Sequence, residues 1–279
     1  MGYNPLVIPT LLTTLAAALA AAPAPVAPAL ARDWAALSAR AKAAGSRLPA
    51  FSAEELERLA RGDAVRRRAT TPSGGDGVIA AVYTPLAPEA LWVTIQDDKH
   101  DKLVAGLVEA EAPGSTPADK LLYQRLDLPW PFEDRQWVIR IRNHAGVYGG
   151  TGGQVWERRW SLADPALAPD PSPTGVWVPE NAGGWLLVEA GGGTVVVYEV
   201  RTVIGGAFPE DTATRWSLVT VEGMLRHIVA RAAGIDAHYG AGHAPFYRPD
   251  GSAIAPGSLG RRPRQEGGVA GETLVSPAP

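Results

Sequence analysis

The chain of 279 residues contains no cysteine, which excludes thiol catalysis, thiolate metal sites and disulfides. Its 5 histidines are scattered, and no two of them have the spacing of a metal-binding motif. No GxSxG nucleophile motif occurs, and the glycine-rich run at 149–154 lacks the lysine of a phosphate loop. We therefore predict no catalytic residue, no metal site and no cofactor.

The chain also lacks an excess of charge of either sign and has little phenylalanine. A net charge of -3 gives no general attraction to nucleic acid, so we predict no nucleic-acid partner. Against 4 phenylalanines stand 9 tryptophans. Tryptophan has a large apolar body and a single N–H donor, which suits both protein cores and ligand cavities.

Only one stretch is both long and uncharged, and it lies at the amino terminus. Residues 6–31 are rich in leucine, alanine and proline and end in Ala29-Leu30-Ala31, a small-x-small pattern typical of signal peptidase sites. The four prolines at 9, 23, 25 and 28 disfavour a membrane helix. We predict that residues 1–31 are a signal peptide cleaved after Ala31, so that the protein is periplasmic or secreted. Because residues 1–5 carry no Lys or Arg, an uncleaved anchor and a disordered cytoplasmic extension remain alternatives.

The rest of the chain is typical of an α+β domain over residues 32–240, with an N-terminal helical extension. Ser52 and Glu55 have the spacing of a capping box, and Pro88 opens a short helix. A long final helix is predicted over 209–234, and residues 241–279 are predicted to be a disordered tail. Strands are predicted between the short and the final helix, at 103–111, 119–128, 135–145, 154–162, 184–189 and 194–203.

Two runs on either side of Trp130, "LYQRLDLPWPFEDRQWVIRIR" at 122–142, alternate with a period of two residues. The charged residues of one parity are expected to face water: Arg125, Asp127, Arg140, Arg142 and, in a later strand, Glu199 and Arg201. The opposite parity is then expected to face inward: Leu122, Gln124, Leu126, Trp137, Ile139, Ile141, Tyr198 and Val200. In "QVWERRWSL" at 154–162, Trp156 and Trp160 share a parity with Arg158, and either side could be the inner one.

One helix is available to cover this apolar face. The final helix carries one apolar stripe, formed by Leu218, Val221, Leu225 and Ile228. A single helix is too small to fill the concavity of a six- or seven-stranded sheet. Bulky side chains or an apolar ligand must therefore occupy the remaining space.

The segment "LDLPWPFEDRQWVIR" at 126–140 resembles the Pro-Trp-Pro…Arg-Asp-Phe-Val segment of START-like lipid-transfer domains, which belong to the helix-grip (SRPBCC) superfamily. The two strand-like runs at 183–209 and the helix after them are similar to the end of these domains, and the similarity extends from Phe51 to Gly234. The resemblance implies a helix-grip fold, in which a curved antiparallel sheet wraps around a long C-terminal helix and encloses one lipid-like molecule.

Sterol-binding members of this family carry a buried carboxylate and an arginine, and the matching positions here are Gln124 and Ile141. The resemblance therefore implies a pocket with a single neutral polar group in an apolar wall. The final helix and the Pro-rich loop at 164–175 are the candidate gates of this pocket.

Two functions follow as hypotheses. The first is non-enzymatic binding and transfer of a hydrophobic lipid-like ligand by a monomer that contacts membranes transiently. The ligand-binding residues would be the eight inward strand residues named above and the four residues of the helix stripe. The alternative is a polyketide cyclase/aromatase-like enzyme with the same cavity, for which Gln124, Tyr198 and His227 are the available polar groups. A domain with a filled core and no ligand is a third possibility.

Overall fold

In the described part of the chain, helices that precede and follow the strands pack on one large sheet. A computed structural model describes residues 26–70, 76–97, 106–206, 210–239, 245–255 and 259. The helices are α1 (Val26–Ala43), α2 (Ala53–Ala60), α3 (Pro88–Gln96), α4 (Ala145–Gly150), α5 (Glu210–Ala233) and α6 (Ile235–His238). Among the residues described, no helix combines the length and the apolarity that a membrane crossing requires.

The strands of the main sheet are β1 (Val65–Thr70), β2 (Asp76–Thr84), β3 (Leu107–Glu111), β4 (Asp119–Leu126), β5 (Arg135–Asn143), β6 (Val155–Leu162), β7 (Val176–Trp177), β8 (Glu180–Ala190) and β9 (Gly193–Val203). Eight of them are antiparallel in the order β1-β2-β9-β8-β6-β5-β4-β3, and the short β7 runs parallel to the start of β5. The sheet is continuous because β9 returns from β8 to pair with β2, which joins the early strands to the late ones.

Each face of the sheet packs against different helices. The inner face, as we name it, packs against α3 and α5, and its core includes Trp92, Val196, Leu225 and Ile228. The outer face packs against α1 and α2 through a second core that includes Trp34. The predicted α+β helix-grip class, in which an antiparallel sheet packs around a long C-terminal helix, is confirmed.

Local signals in the sequence explain several helix ends. The predicted capping box of α2 is present: the amide of Glu55 donates to Ser52 Oγ at 3.1 Å, and the amide of Ser52 donates to Glu55 Oε2 at 2.8 Å. Pro88 stands at the start of α3 as predicted. The connection between β5 and β6, which includes the glycine-rich run at 149–154, contains the short helix α4.

Both ends of the predicted domain differ from expectation where the structure describes them. α1 begins at Val26, and Leu30 is fully buried in the outer-face core although it precedes the predicted cleavage site. Within the predicted tail at 241–279, β10 (Phe246–Tyr247) and β11 (Ala253–Ile254) form a hairpin. The hairpin is ordered because Trp92 and Gln96 of α3 both donate to the carbonyl of Tyr247, each at 2.8 Å. Residues 1–25 of the predicted leader and most of the predicted tail lie outside the described residues.

Candidate ligand-binding site

The inner face carries large polar and aromatic side chains across its middle strands. Arg158 on β6 is the partner of Trp185 on β8, and Trp185 is the partner of Tyr198 on β9. The next row contains Ile141, Trp160, Gly183 and Val200. The sequence left open which face Trp156, Arg158 and Trp160 share. It is the inner face, because Trp156 packs in the inner core and Arg158 donates to a carbonyl of α3.

Three aromatic side chains of these rows are only half-buried, although strands flank them on both sides. They are Trp160, Trp185 and Tyr198, whereas Leu186 and Val197 on the outer face of the same strands are fully buried. The Trp160 and Trp185 rings lie 5.6 Å and 4.7 Å from that of Tyr198. Since neighbouring strands cover a central side chain from both sides, the remaining access lies over the inner face. Part of the aromatic surface on the inner face is therefore accessible.

Eight of the twelve predicted ligand-binding residues lie on this face and four lie on α5, which packs against it, and together they form two groups. Tyr198, Val200, Leu218, Val221, Leu225 and Ile228 pack in or against the core beneath α3 and α5. Leu122, Leu126, Trp137, Ile139 and Ile141 form a separate cluster with Val178 on the wing made by β4 and β5, and Gln124 lies among them. The contact between Trp160 and Tyr198 connects the two groups, because Trp160 packs against the wing cluster and Tyr198 against the core.

Gln124 is not the unoccupied neutral group that the sequence implied. Its Oε1 accepts from Trp137 Nε1 at 2.6 Å, and its Nε2 donates to the carboxylate of Glu109 on β3. The amide thus has a partner on each side within the wall. The expectation of a pocket with one neutral polar group is wrong, since several ionisable side chains share the face with Gln124.

Three of these ionisable side chains, Glu109, Lys120 and Arg158, act on one another through their charges. Burial lowers the pKa of Arg158 to about 10, against the opposing charge of Glu109. Burial and the charge of Arg158 lower the pKa of Lys120 to about 8. Burial raises the pKa of Glu109 although its side chain keeps solvent access. Arg158 shares its parity with two tryptophans, which was the only sequence signal of its inward position.

The outer face holds a buried charge network that the alternation did not predict. Glu199, expected to face water, is fully buried beside the guanidinium of Arg159, which also pairs with Glu157. Glu157 is fully buried too, and it accepts from Ser46 Oγ at 2.7 Å and lies 2.7 Å from His144 Nδ1. Glu199 is buried because β9 is a central strand and Arg159 on β6 spans the distance to it. This network lies across the sheet from the candidate site.

Arg135 holds the segment that follows the Pro-Trp-Pro motif. Its guanidinium donates to the backbone carbonyls of Ile204 at 3.1 Å, Gly205 at 3.0 Å and Glu133 at 2.5 Å. Trp130 projects from the same connection with 93% of its surface exposed.

The two candidate gates lie on different faces. The Pro-rich loop at 164–175 is held on the outer face, where Gln136 Nε2 donates to the carbonyls of Ser172 and Gly175 at 3.0 Å and 2.7 Å. It is not positioned to open over the inner face. α5 covers part of that face through Val221, Leu225 and Ile228, which leaves α5 as the candidate gate.

Groups for catalysis are few on this face. His227 is exposed on α5. Burial raises the pKa of Tyr198 far above its ordinary value, so its hydroxyl stays protonated. Within the part of the chain that the structure describes, no three His, Asp or Glu side chains come together as metal ligands.

Comparisons with known proteins give one distant relative and several similar structures. No family model matches the chain. An uncharacterized protein of Pseudomonas aeruginosa is 33% identical over 93 residues, which cover 33% of this chain and 43% of that protein. The matched stretch thus spans less than half of the relative's length.

Similar solved structures include lipid-transfer domains and a cyclase. A STAR-related lipid transfer protein from Xanthomonas axonopodis has a TM-score of 0.47 and 19% identity, over 57% of this chain and 86% of that chain. Human StAR-related lipid transfer protein 5 has a TM-score of 0.48 and 12% identity, over 73% and 98%. The Zhui aromatase/cyclase from Streptomyces has a TM-score of 0.37 and 12% identity, over 64% and 100%. START-related domains are thus among the structures similar to this chain, as the sequence resemblance implied.

Proposed function

We propose that this protein binds a hydrophobic, lipid-like molecule between the inner face of its sheet and α5, and transfers it without chemical change. One observation carries the proposal: Trp160, Trp185 and Tyr198 lie on interior strands yet remain half-buried. Aromatic surface that stays accessible inside a domain is favourable only when an apolar partner covers it. Removing apolar surface from water contributes roughly 25 cal/mol per Å², so a long acyl chain can be held mainly by burial.

The groups on the inner face favour a carrier over an enzyme. A cyclase needs an acid or base in contact with its substrate. His227 is exposed, and both ends of the Gln124 amide already have partners in the wall. Tyr198 lies on the inner face, but burial raises the pKa of its hydroxyl, which makes it a weak acid. A polyketide cyclase/aromatase-like activity is the alternative, and it would depend on Tyr198.

Export and membrane contact complete the proposal. The uncharged run at 6–31 supports a signal peptide and a periplasmic or secreted protein. The exposed indole of Trp130 suits the boundary between lipid headgroups and acyl chains, where tryptophan is enriched. We propose a monomer that contacts membranes transiently through this residue while its ligand enters or leaves.

The test is to identify what the purified protein carries. Extraction with organic solvent followed by mass spectrometry should yield about one lipid-like molecule per chain, and delipidated protein should take up a fluorescent fatty acid. Val200→Trp, which adds volume on the inner face, should reduce that uptake. Ser161→Trp is the matched control, because Ser161 is exposed on a strand of the same sheet.

Two results would contradict the carrier. An empty extract with no uptake would leave a domain that binds no ligand. Conversion of an added polyketide mimic that is lost in Tyr198→Phe would instead support the enzyme.

A further inference from the structure

Arg158 is a buried arginine with few partners. Only 4% of its surface is exposed, and its Nη1 donates to the carbonyl of Ile95 at 3.2 Å. Among the interactions of the described residues, this is its single hydrogen bond, and no carboxylate lies within 4.0 Å as an ion-pair partner. A guanidinium has five N–H donors. Most of its hydrogen-bonding capacity is therefore directed at the inner face without a protein partner.

Two other arginines of the sheet, Arg135 and Arg159, show how a structural guanidinium is satisfied in this protein. Arg135 donates to the backbone carbonyls of Glu133, Ile204 and Gly205. Arg159 pairs with two buried carboxylates on the outer face. Arg158 lacks such a set of partners, unlike Arg135 and Arg159. Burial of an incompletely bonded charge is unfavourable.

The surroundings of Arg158 favour a bound oxyanion. Its hydrogen bond goes to the last turn of α3, whose carbonyl end stabilises a cation. Lys120 adds a second positive charge that acts on Arg158, and Glu109 is the opposing charge. Asp97 also acts on Lys120, but it accepts from the hydroxyl of Tyr239 at 2.5 Å and is 4.0 Å from Arg231.

Arg158 also lies where the head of an amphiphile would meet its chain. It shares a transverse row with Trp185 and Tyr198. β6 and β9 are two strands apart, which is about 10 Å, so one polar group bound between them could reach both Arg158 and the hydroxyl of Tyr198. The apolar wing formed by Leu122, Ile139 and their neighbours extends from this row.

We propose that Arg158 binds the oxyanion of an acidic amphiphile, a carboxylate or a phosphate monoester, whose chain lies along the inner face. The inference rests on the proposed function and specifies its ligand class. A planar guanidinium matches both oxyanions with two parallel hydrogen bonds. A ligand without an ionised head leaves these donors unsatisfied.

The test compares three probes with the same chain: hexadecanoic acid, hexadecyl phosphate and methyl hexadecanoate. Binding is followed by tryptophan fluorescence in the wild type, Arg158→Met and Arg158→Lys. Arg142→Met is the matched control, because 59% of its side chain is exposed. We expect the wild type to bind one or both acids at least about tenfold more tightly than the ester. Arg158→Met should lose the preference for the acids but keep its affinity for the ester. Arg158→Lys should keep part of the preference, and Arg142→Met should keep all of it.

Whichever of the two acids binds more tightly, the carboxylate or the phosphate, identifies the head group that the site prefers. Equal affinity of the wild type for the acids and the ester overturns the inference and leaves the proposed function intact. An acid preference that survives in Arg158→Met overturns it as well. Failure of all three probes to bind overturns the proposed function too.

Urea unfolding of the ligand-free variants separates binding from a structural role. The midpoint of Arg158→Met should equal or exceed that of the wild type, since the substitution removes an incompletely paired buried charge. A large fall in this midpoint would make Arg158 a structural residue and overturn the inference.

Discussion

The indole of Trp160 lies directly against the backbone of Gly183 on the neighbouring strand. A Cβ atom at Gly183 would overlap Cζ2 and Cε2 of that ring, and it would also overlap the backbone oxygen of Glu199. Trp160 Nε1 donates to Asn181 Oδ1 at 2.8 Å, which fixes the ring in this position. The absence of a side chain at Gly183 therefore allows the Trp160 ring to approach the backbone of the neighbouring strand.

Gly183→Ala is expected to destabilise the protein by about 1–3 kcal/mol, the usual cost of overpacking, and to displace Trp160 from the site. Urea unfolding measures the first effect, and quenching of tryptophan fluorescence by an acyl ligand measures the second. Gly223→Ala serves as the control: Gly223 lies in α5 with open space around its Cα, so alanine there should stabilise the helix. An unchanged unfolding midpoint for Gly183→Ala would contradict the close packing of the two residues.

Arg135→Lys is expected to lower the free energy of unfolding by about 2 kcal/mol, because an ammonium cannot reproduce the forked donors of a guanidinium. The guanidinium ties the start of β5 to the carbonyls of Ile204 and Gly205, between β9 and α5. Arg140→Lys should have little effect, since 47% of the Arg140 side chain is exposed and its partner Asp119 is near the surface. Equal stability of the two variants would argue against this role of Arg135.

The pair of His144 and Glu157 should make stability depend on pH. The hydrogen bond to Glu157 raises the pKa of His144 above its ordinary value. The stabilisation by His144 is therefore fully present below a pH of about 6.5 and is lost as the pH rises through the raised pKa. Burial opposes ionisation of Glu157, but His144, Arg159 and Ser46 together lower its pKa, so its contribution is lost only as the pH falls through that lowered value.

His144→Gln should accordingly destabilise the protein more at about pH 5.5 than at about pH 8.5. The comparison is made by urea unfolding of the variant and the wild type at each pH. If His144→Gln lowered the free energy of unfolding by the same amount at both pH values, the charge on His144 would not contribute to stability. His144→Gln keeps a polar side chain at this position, so the loss of packing is small.

Trp130→Ala is expected to slow lipid transfer between vesicles several-fold without changing equilibrium binding, because Trp130 is exposed and lies outside the inner face. Trp130→Tyr should retain most of the rate, since tyrosine also favours the membrane interface. Transfer by Trp130→Ala at the wild-type rate would remove the membrane contact from the proposal.

Leu30→Ala is expected to destabilise the unprocessed chain by about 3 kcal/mol, because Leu30 is fully buried in the outer-face core. Its helix is held in place nearby, where the amide of Gly191 donates to Asp33 Oδ2 at 3.0 Å. Mass spectrometry of the exported protein then determines where the mature chain begins. Cleavage after Ala31 would make the substitution silent in the exported form, whereas cleavage before Leu30 would leave its effect intact.

The sequence alone determined those features that depend on neighbours along the chain. Alternation with a period of two residues placed Trp137, Ile139 and Tyr198 on one face of the sheet, and the capping box placed the start of α2. The stripe of α5 was visible because its residues recur every three or four positions. Such patterns reflect local geometry, which the fold preserves when it packs one face of each element.

Only the tertiary structure decided what each polar side chain meets. Alternation assigned Glu199 to water and left the side of Arg158 open, yet both residues are buried, Arg158 beneath α3 and Glu199 beside Arg159. Arg135 binds carbonyls 69 and 70 residues away along the chain. The partner of a buried charge is set by which strands and helices come together, and no spacing within a single strand contains that information.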